Sequence, residues 1–515
     1  MRTKQAFYNL LTSLLLQFIV AIAGFILPPI RIKTYGSSMN GLVGSIGQFI
    51  AYLQLVEAGL NTASVQALYK PLAQKDHKQT DAILSASNKF YIQSGSIFAV
   101  LVALLSVVYP WITRDEVSPL LSFLLVAVIS ISGLTEFFIG AKYRILLTAD
   151  QKGYVLNTSL IIGNLINTVL SILIMTSGLN IIVLQLTTGI IYLIRVIGIV
   201  MYVRRKYLNL QFNSTPDYKA INKRWDAFIH QLAGVVIFNT PVVITTIFLG
   251  LTEVSIYMIY SVVFGSLGTL ISSFSRSMTP AFGEVIALGD REKLLKVYSN
   301  FEGFYYAIIA FIFTVTSIMI IPFISLYTRG IEDANYIDPV LAVLFAVIGL
   351  LHHIRIPQSI VISASGHFKE TKGRAIYEAI IHVAASLIFV QFLGLHGVLL
   401  GSLCSYGYRA IDMLLYGNLR VLQQSPWITI KRLLINAAAG ILIVIIALNA
   451  LAISPQGWGS WILNSFGVAI FTFLIIAAVN YLFDKEAVLD VYKRGNILVS
   501  SLLRKSVVVR KQAGG

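Results

Sequence analysis

Apolar residues run almost unbroken through fourteen stretches of this chain, separated by short polar segments. The stretches lie near residues 7–30, 41–66, 90–113, 117–140, 153–177, 179–203, 227–249, 254–280, 301–327, 339–365, 375–393, 395–417, 431–453 and 459–483. Each approaches or exceeds the roughly 20 residues that carry a helix across about 30 Å of hydrocarbon. A membrane barrel would instead alternate apolar and polar positions in pieces of about ten. The pattern therefore predicts an all-α, polytopic membrane chain of about fourteen transmembrane helices. The first stretch is too long for a signal-peptide core and lacks a small-residue cleavage site. It ends in Pro28-Pro29-Ile30-Arg31 and reads as a retained helix.

Composition agrees with this pattern. The chain has 515 residues, of which 57% are hydrophobic and 12% charged, against about 25% charged in a soluble domain. The net charge of +16 would suit nucleic acid, but the placement of the charges points elsewhere. With the amino terminus inside, 31 of the 39 Lys and Arg residues fall in inner segments. Four (Arg31, Lys33, Arg114 and Arg329) fall outside, and four (Arg195, Arg276, Arg355 and Arg409) fall within spans. That bias predicts a multi-pass protein of the cytoplasmic membrane with both termini cytoplasmic and a surface attracted to anionic membrane lipids. No nucleic-acid partner is expected. Cys404 is the only cysteine, which excludes an intrachain disulfide or thiolate metal cluster. No GxxxxGK[ST] motif occurs, so ATP hydrolysis by that route is excluded. The tail segment from Tyr492 to Lys511 mixes aliphatic and basic residues, and reads equally as an interfacial helix or a frayed end.

A shift of 214 residues lays the first half over the second. Leu72-Ala73-Gln74-Lys75-Asp76 falls on Ile286-Ala287-Leu288-Gly289-Asp290, Phe90-Tyr91 on Phe304-Tyr305, Gly36 on Gly250, and Arg195 on Arg409. Gly178-Leu179 matches Gly394-Leu395 at a shift of 216. An even number of spans separates the copies, so they share one orientation. The expected organisation is a six-helix bundle over 1–206, a cytoplasmic linker over 207–226 and a second six-helix bundle over 227–420. Helices 13 and 14 follow over 421–483, then a basic cytoplasmic tail over 484–515. One chain supplies both bundles, so a monomer is expected.

Tyr35-Gly36, Asn40-Gly41-Leu42 and Glu57-Ala58-Gly59 resemble the opening of bacterial polysaccharide flippases. So do Pro322-Phe323, Leu326-Tyr327-Thr328-Arg329-Gly330-Ile331 and Gly366-His367-Phe368-Lys369-Glu370-Thr371. The likeness spreads over most of residues 7–425. It implies the multidrug/oligosaccharidyl-lipid/polysaccharide superfamily, with two pseudo-symmetric six-helix bundles in a V around a central cavity. It also implies movement of undecaprenyl-diphosphate-linked oligosaccharide from the inner to the outer leaflet for O-antigen, capsule or exopolysaccharide assembly. Its partners would be the lipid-linked oligosaccharide and, in the same assembly line, a polysaccharide polymerase and a chain-length regulator. In relatives, spans one, two, seven and eight line the cavity, and added spans thirteen and fourteen form a lipid-tail groove.

Charge at bilayer depth costs about 2.5–3.5 kcal/mol on insertion scales, so it marks a cavity or a partner. Gln54, Glu57, Asn61 and Ser64 recur at helical spacing in span two, as do Thr269, Ser272, Arg276 and Thr279 in span eight. Two facing polar stripes would line a cleft; the alternative is a static interhelical seam. Arg276 suits the diphosphate because a guanidinium binds phosphate oxygens in bidentate fashion. Arg31 and Lys33, at the end of span one, would either receive the diphosphate or anchor the helix. Glu57 would bind a coupled proton or sodium ion, or simply partner Arg276. No cofactor beyond such an ion gradient is expected, and no metal.

Arg409 has Asp412 three residues on, a spacing that allows an intrahelical pair. Arg355 follows His352 and His353 and is a candidate for gating or coupling. Pro28 and Pro29 in span one and Pro241 in span seven permit bending. Asn239 and Thr240 beside Pro241 would satisfy the freed carbonyl or contact sugar, and Tyr257 and Tyr260 would stack on sugar rings or simply mark the external interface, where tyrosine is common. Two rivals remain: a multidrug or cation antiporter of the same superfamily, and an embedded polymerase or glycosyltransferase. The second lacks support, since Asp115-Glu116 and Glu332-Asp333 are isolated acidic pairs without DxD spacing. The protein is therefore expected not to be an enzyme.

Overall fold

A computed structural model describes residues 2–486 and 489, apart from 209, 211, 213, 222, 223, 277, 451–455 and, at its end, 487 and 488. For residues 2, 3, 224–230, 274, 276, 368 and 450 it describes the backbone alone. Every regular element among the described residues is helical. In chain order these are α1 (Arg2–Tyr35), α2 (Ser37–Leu53), α3 (Leu60–Gln74), α4 (His77–Ile112), α5 (Pro119–Ile129) and α6 (Ile131–Thr135). Then come α7 (Ala141–Ala149), α8 (Gly153–Thr176), α9 (Ile181–Lys206), α10 (Arg224–Phe248), α11 (Leu251–Arg276) and α12 (Thr279–Ala287). The remainder are α13 (Arg291–Tyr327), α14 (Pro339–Ile354), α15 (Ile356–Ala364), α16 (Phe368–Tyr416), α17 (Trp427–Ala450) and α18 (Trp458–Phe483).

Among the described residues, twelve helical runs are long and apolar enough to cross a membrane, against the fourteen expected. Two elements account for the difference. The run Lys369–Leu422 holds two of the expected spans, which abut at Gly394, a residue whose φ of 56° and ψ of −132° break the helical path between them. The second expected span is divided between α2 and α3, neither of which reaches crossing length. Large apolar side chains face outward along the runs, among them Phe7, Leu10, Phe18, Val100, Leu104 and Ile194. Such a surface is suited to lipid and not to water.

The chain packs as two compact units. The first comprises Met1–Val262, Gly330–Asn335 and Ala375–Ser402. Its core gathers Leu42, Ile46, Leu84, Tyr91, Phe98, Phe137 and Ile145. Part of the 207–226 linker is docked onto the start of α4: Phe212 N–H donates to Asp81 at 2.6 Å and the Ser214 hydroxyl to the same carboxylate at 2.7 Å. The second unit comprises Val263–Arg329, Tyr336–Arg374 and the described residues from Leu403 on. There α17 and α18 pack on α13 through Ile318, Met319, Ile443, Ala447, Val468 and Ile476. Asn436 and Asn480 hydrogen-bond across α17 and α18 at 2.9 Å, the interhelical polar pairing favoured where lipid offers no partner.

The 214-residue repeat is visible in backbone geometry. Asp76 and Asp290 both cap a helix, each accepting from a backbone N–H at 2.9 Å, with φ/ψ of −79°/92° and −82°/92°. Gly36 and Gly250 have φ of 89° and 96°, Lys75 and Gly289 of 57° and 69°, and Gly178 and Gly394 of 69° and 56°.

Candidate functional site

Span two departs from the expected continuous helix just where its polar residues lie. A 3-10 turn covers Gln54–Glu57, Ala58 is extended with ψ 134°, and Gly59 is left-handed with φ 79° before α3 begins. Gln54 and Glu57 are thus separated from Asn61 and Ser64, and the four do not form one helical stripe. An interruption inside a membrane persists only where its freed backbone groups find partners. Here the Ala58 N–H donates to Leu55 O at 2.9 Å, the Gly59 N–H to Gln231 Oε1 at 3.1 Å, and the Ser94 hydroxyl to Val56 O at 3.3 Å. The stripe of span eight is likewise divided, since α11 ends at Arg276 and Thr279 opens α12.

Glu57 meets Arg144, whose NH2 is 3.4 Å from its Oε2. The expected partner of Glu57, Arg276, has a side chain outside the described residues. The helical run from Pro119 continues to Ala149 and does not end near residue 140, so Arg144 lies on a helix and not in a loop. Arg144 Nε is also 2.7 Å from Glu136 Oε1, which makes it the centre of an acid–base–acid group. A π-turn over Glu136–Gly140 presents the second acid; such bulges are frequent at functional positions. Phe137 locks the turn by packing on Phe98, ring centroids 4.9 Å apart. The hydroxyl of Tyr192 donates to Glu136 Oε2 at 2.9 Å, and the Arg195 guanidinium covers the Tyr192 ring at 4.1 Å. Glu136, Arg144 and Tyr192 were not singled out from sequence; an acid inside span four was the available signal.

The other predicted residues are dispersed. Gln54 is exposed, while Asn61 is half-buried and its buried Oδ1 accepts no hydrogen bond among the described residues. Ser64 is buried and accepts from Ser87 at 2.9 Å. Arg276 has a described backbone, but its side chain lies outside the described residues; the segment Tyr492–Lys511 does so entirely. Ser272 and Asn239 are half-buried. Thr240 is hydrogen-bonded to Tyr52 rather than serving a carbonyl freed by Pro241. Tyr260 is fully buried, which removes it as a stacking surface for sugar; Tyr257 is half-buried. Pro28 and Pro29 lie within the unbroken α1, and Pro241 within α10.

Arg31 donates to Asn40 Oδ1 at 2.8 Å, whereas Lys33 is exposed. Arg355 caps α14, meets His352 Nδ1 at 3.1 Å and lies 5.3 Å over the Tyr406 ring. His353 is buried with its Nδ1 3.2 Å from the Tyr305 hydroxyl. Arg409 forms the expected pair with Asp412, at 2.9 Å, and Arg374 shares that carboxylate. A further buried acid, Glu302, accepts from Tyr298, Gln358, Thr429 and Arg432 at 2.7–3.2 Å. Arg432 is also held by Asp484 at 2.6 Å.

The two isolated acidic pairs, Asp115-Glu116 and Glu332-Asp333, make a reciprocal arrangement. Asp333, from the second repeat, accepts the Ser37 N–H at 2.6 Å and the Ser37 hydroxyl at 2.7 Å at the start of α2. Glu116, from the first repeat, accepts the Leu251 N–H at 2.7 Å at the start of α11. A carboxylate at a helix N-terminus satisfies an open N–H and the positive end of the dipole. Below these caps, polar pairs join α2 to α10 and α11: Ser38 to Thr252 at 2.9 Å, Asn40 to Ser255 at 2.7 Å and Ser45 to Thr246 at 2.7 Å. The helices run so close at Gly41 that a Cβ there would overlap the Leu251 carbonyl.

Neither a family model nor a curated protein sequence matches this chain. Solved structures do. The lipid II flippase MurJ in an inward closed conformation aligns with TM-score 0.63 at 16% identity, over 92% of this chain and 99% of that one. An inward-facing multidrug resistance MATE family transporter of the MOP superfamily aligns with TM-score 0.62 at 15% identity, over 81% and 95%. A MOP superfamily transporter from Pyrococcus furiosus Vc1, described as having reversed polarity in its binding pocket, aligns with TM-score 0.57 at 15% identity, over 82% and 97%. The chain is an all-helical membrane protein with the fold seen in MATE and MurJ transporters.

Proposed function

We propose that this chain is a carrier that moves an undecaprenyl-diphosphate-linked oligosaccharide across the cytoplasmic membrane by alternating access, for surface-polysaccharide assembly. The observation that carries this reading is the reciprocal seam, in which each repeat caps a helix of the other through Asp333 and Glu116. Hydrogen bonds to a charged group exchange for water at a net cost of about 1.5–3 kcal/mol each, so a seam built from a few of them can part and re-form.

A lipid-linked glycan as cargo is supported by the resemblance of Tyr35-Gly36, Asn40-Gly41-Leu42 and Glu57-Ala58-Gly59 to polysaccharide flippases. The fold likeness to a lipid II flippase also supports it. Gln54 and Asn61, at the interruption of span two, are the groups we assign to sugar hydroxyls, and Arg276 is assigned to the diphosphate. The Glu57–Arg144–Glu136 group holds two carboxylates to one guanidinium, which suits it to take up a coupling proton or sodium ion. That same acidic excess favours a second reading, a multidrug or cation antiporter; a multidrug resistance MATE family transporter shares the fold.

Reconstituted into liposomes, the full chain is expected to carry undecaprenyl-diphosphate-linked oligosaccharide to the opposite leaflet, where a membrane-impermeant lectin captures it. Ethidium accumulation should stay at background. Dye accumulation without glycolipid movement would replace the flippase reading by the antiporter.

A further inference from the structure

Arg195 lies within α9, a run long and apolar enough to cross a membrane, and its buried Nε–H has no acceptor among the described residues. Its repeat mate Arg409 is paired with Asp412 at 2.9 Å. A charge at bilayer depth is costly unless a partner offsets it. What stands beside Arg195 is an aromatic ring. Tyr192, three residues earlier and so on the same face of α9, has its ring centroid 4.1 Å from the guanidinium, and such a contact strengthens when water is excluded.

Tyr192 is engaged at both ends. Its face meets the cation, and the hydroxyl at its edge donates to Glu136 Oε2 at 2.9 Å. An aromatic ring is negative on its face and positive at its edge, so a cation above it and an anion at its hydroxyl reinforce one another. Glu136 is confined to this place. A Cβ at Gly140 would come within 2.5 Å of Glu136 Oε2 and 3.5 Å of Val196, so the glycine of the π-turn makes the room in which the carboxylate reaches α9. From the side of α8, a Cβ at Gly163 would meet Arg195 Cδ at 3.4 Å, which braces the stem of the arginine.

The charges therefore alternate from Arg195, through the Tyr192 dipole, to Glu136, Arg144 and Glu57. Direct contacts join two carboxylates to one guanidinium, and Arg195 supplies a second positive charge through the ring. The two carboxylates are held unequally. Glu136 has Arg144 Nε at 2.7 Å on one oxygen and the Tyr192 hydroxyl on the other. Glu57 has Arg144 at 3.4 Å, longer than the roughly 2.7–2.9 Å of a good charge-assisted bond.

We propose that Arg195 is a positioning residue of the ion-coupling group: acting through Tyr192, it fixes Glu136 on Arg144 and leaves Glu57 as the exchangeable carboxylate. This role rests on the reading of the Glu57–Arg144–Glu136 group as the site of ion coupling. Without the cation over its ring, the Tyr192 hydroxyl is a weaker donor, and either carboxylate can let go of Arg144.

A double-mutant cycle between Arg195 and Glu136 tests the contact, with the unfolding equilibrium of the full purified chain measured in mixed micelles. Arg195→Gln and Glu136→Gln should be non-additive, with a coupling of about tenfold in that equilibrium, or roughly 1.4 kcal/mol. Arg195→Lys, which keeps the charge, should retain part of it. Tyr192→Phe keeps the ring and removes the hydroxyl, so in that background most of the coupling should disappear. Additive effects would overturn the proposal, because packing of Arg195 alone predicts additivity. So would a coupling untouched by Tyr192→Phe, which would exclude the ring as the route. In liposomes, glycolipid movement stimulated by an imposed proton or sodium gradient should be lost in Arg195→Gln and partly recovered in Arg195→Lys; unchanged stimulation in Arg195→Gln would overturn the positioning role. Wild-type transport indifferent to both gradients would instead overturn the coupling reading beneath it, and the measured cycle tells the two failures apart.

Discussion

Arg144 holds two carboxylates, Glu57 at 3.4 Å and Glu136 at 2.7 Å, with its own side chain one-third exposed. Removing one member of a buried ion pair costs about 3–5 kcal/mol because the partner is left unpaired; partial exposure puts this group at the lower end. Arg144→Met should lower the melting temperature of the purified protein well below that of Glu57→Gln. Adding Glu136→Gln to Arg144→Met should restore part of the loss, and no restoration would show that Arg144 acts by packing alone. The pair of Arg409 with Asp412 was readable in advance because both members lie three residues apart on one helix. Arg144 was not, because with Lys142 it has the appearance of loop charge. Only the continuation of the helix to Ala149 returns it to Glu136 and Glu57.

Helix positions were legible from apolar length, and repeat landmarks such as Asp76 and Asp290 were legible from sequence and recur as matching caps. The interruption after Glu57 was hidden for a physical reason. Hydrophobic periodicity averages over many residues, whereas the break needs only Ala58 extended and Gly59 at φ 79°, a conformation that costs an L residue roughly 1–2 kcal/mol. The glycine in Glu57-Ala58-Gly59 was the one local sign. At Gly41 the constraint is space. Gly41→Ala should force α2 and α11 apart at the Leu251 carbonyl, an overpacking loss of about 1–3 kcal/mol. A disulfide trap between cysteines placed at Ser38 and Thr252, whose hydroxyls are 2.9 Å apart, should form more slowly in that variant. An unchanged rate would mean that the helices absorb the methyl group.

Across the whole molecule the 214-residue repeat does more than double the helices, because the acids of each copy serve the other. The sequence showed Asp115-Glu116 and Glu332-Asp333 only as isolated pairs; which helix an acid caps depends on a fold that brings together residues 135 and 296 positions apart. Glu116→Gln with Asp333→Asn removes both charged caps, each worth about 0.3–1 kcal/mol at a helix N-terminus. Distances between spin labels on α2 and α11 should broaden in the double variant, and a distribution identical to wild type would argue against a seam that opens. The same connection sets a schedule for biogenesis. Ser37 emerges from the ribosome 296 residues before the carboxylate that completes its helix. At about 5–20 residues per second, that start remains without its acid for roughly 15 to 60 seconds, and maturation of the earliest helices must wait for the synthesis of a late loop.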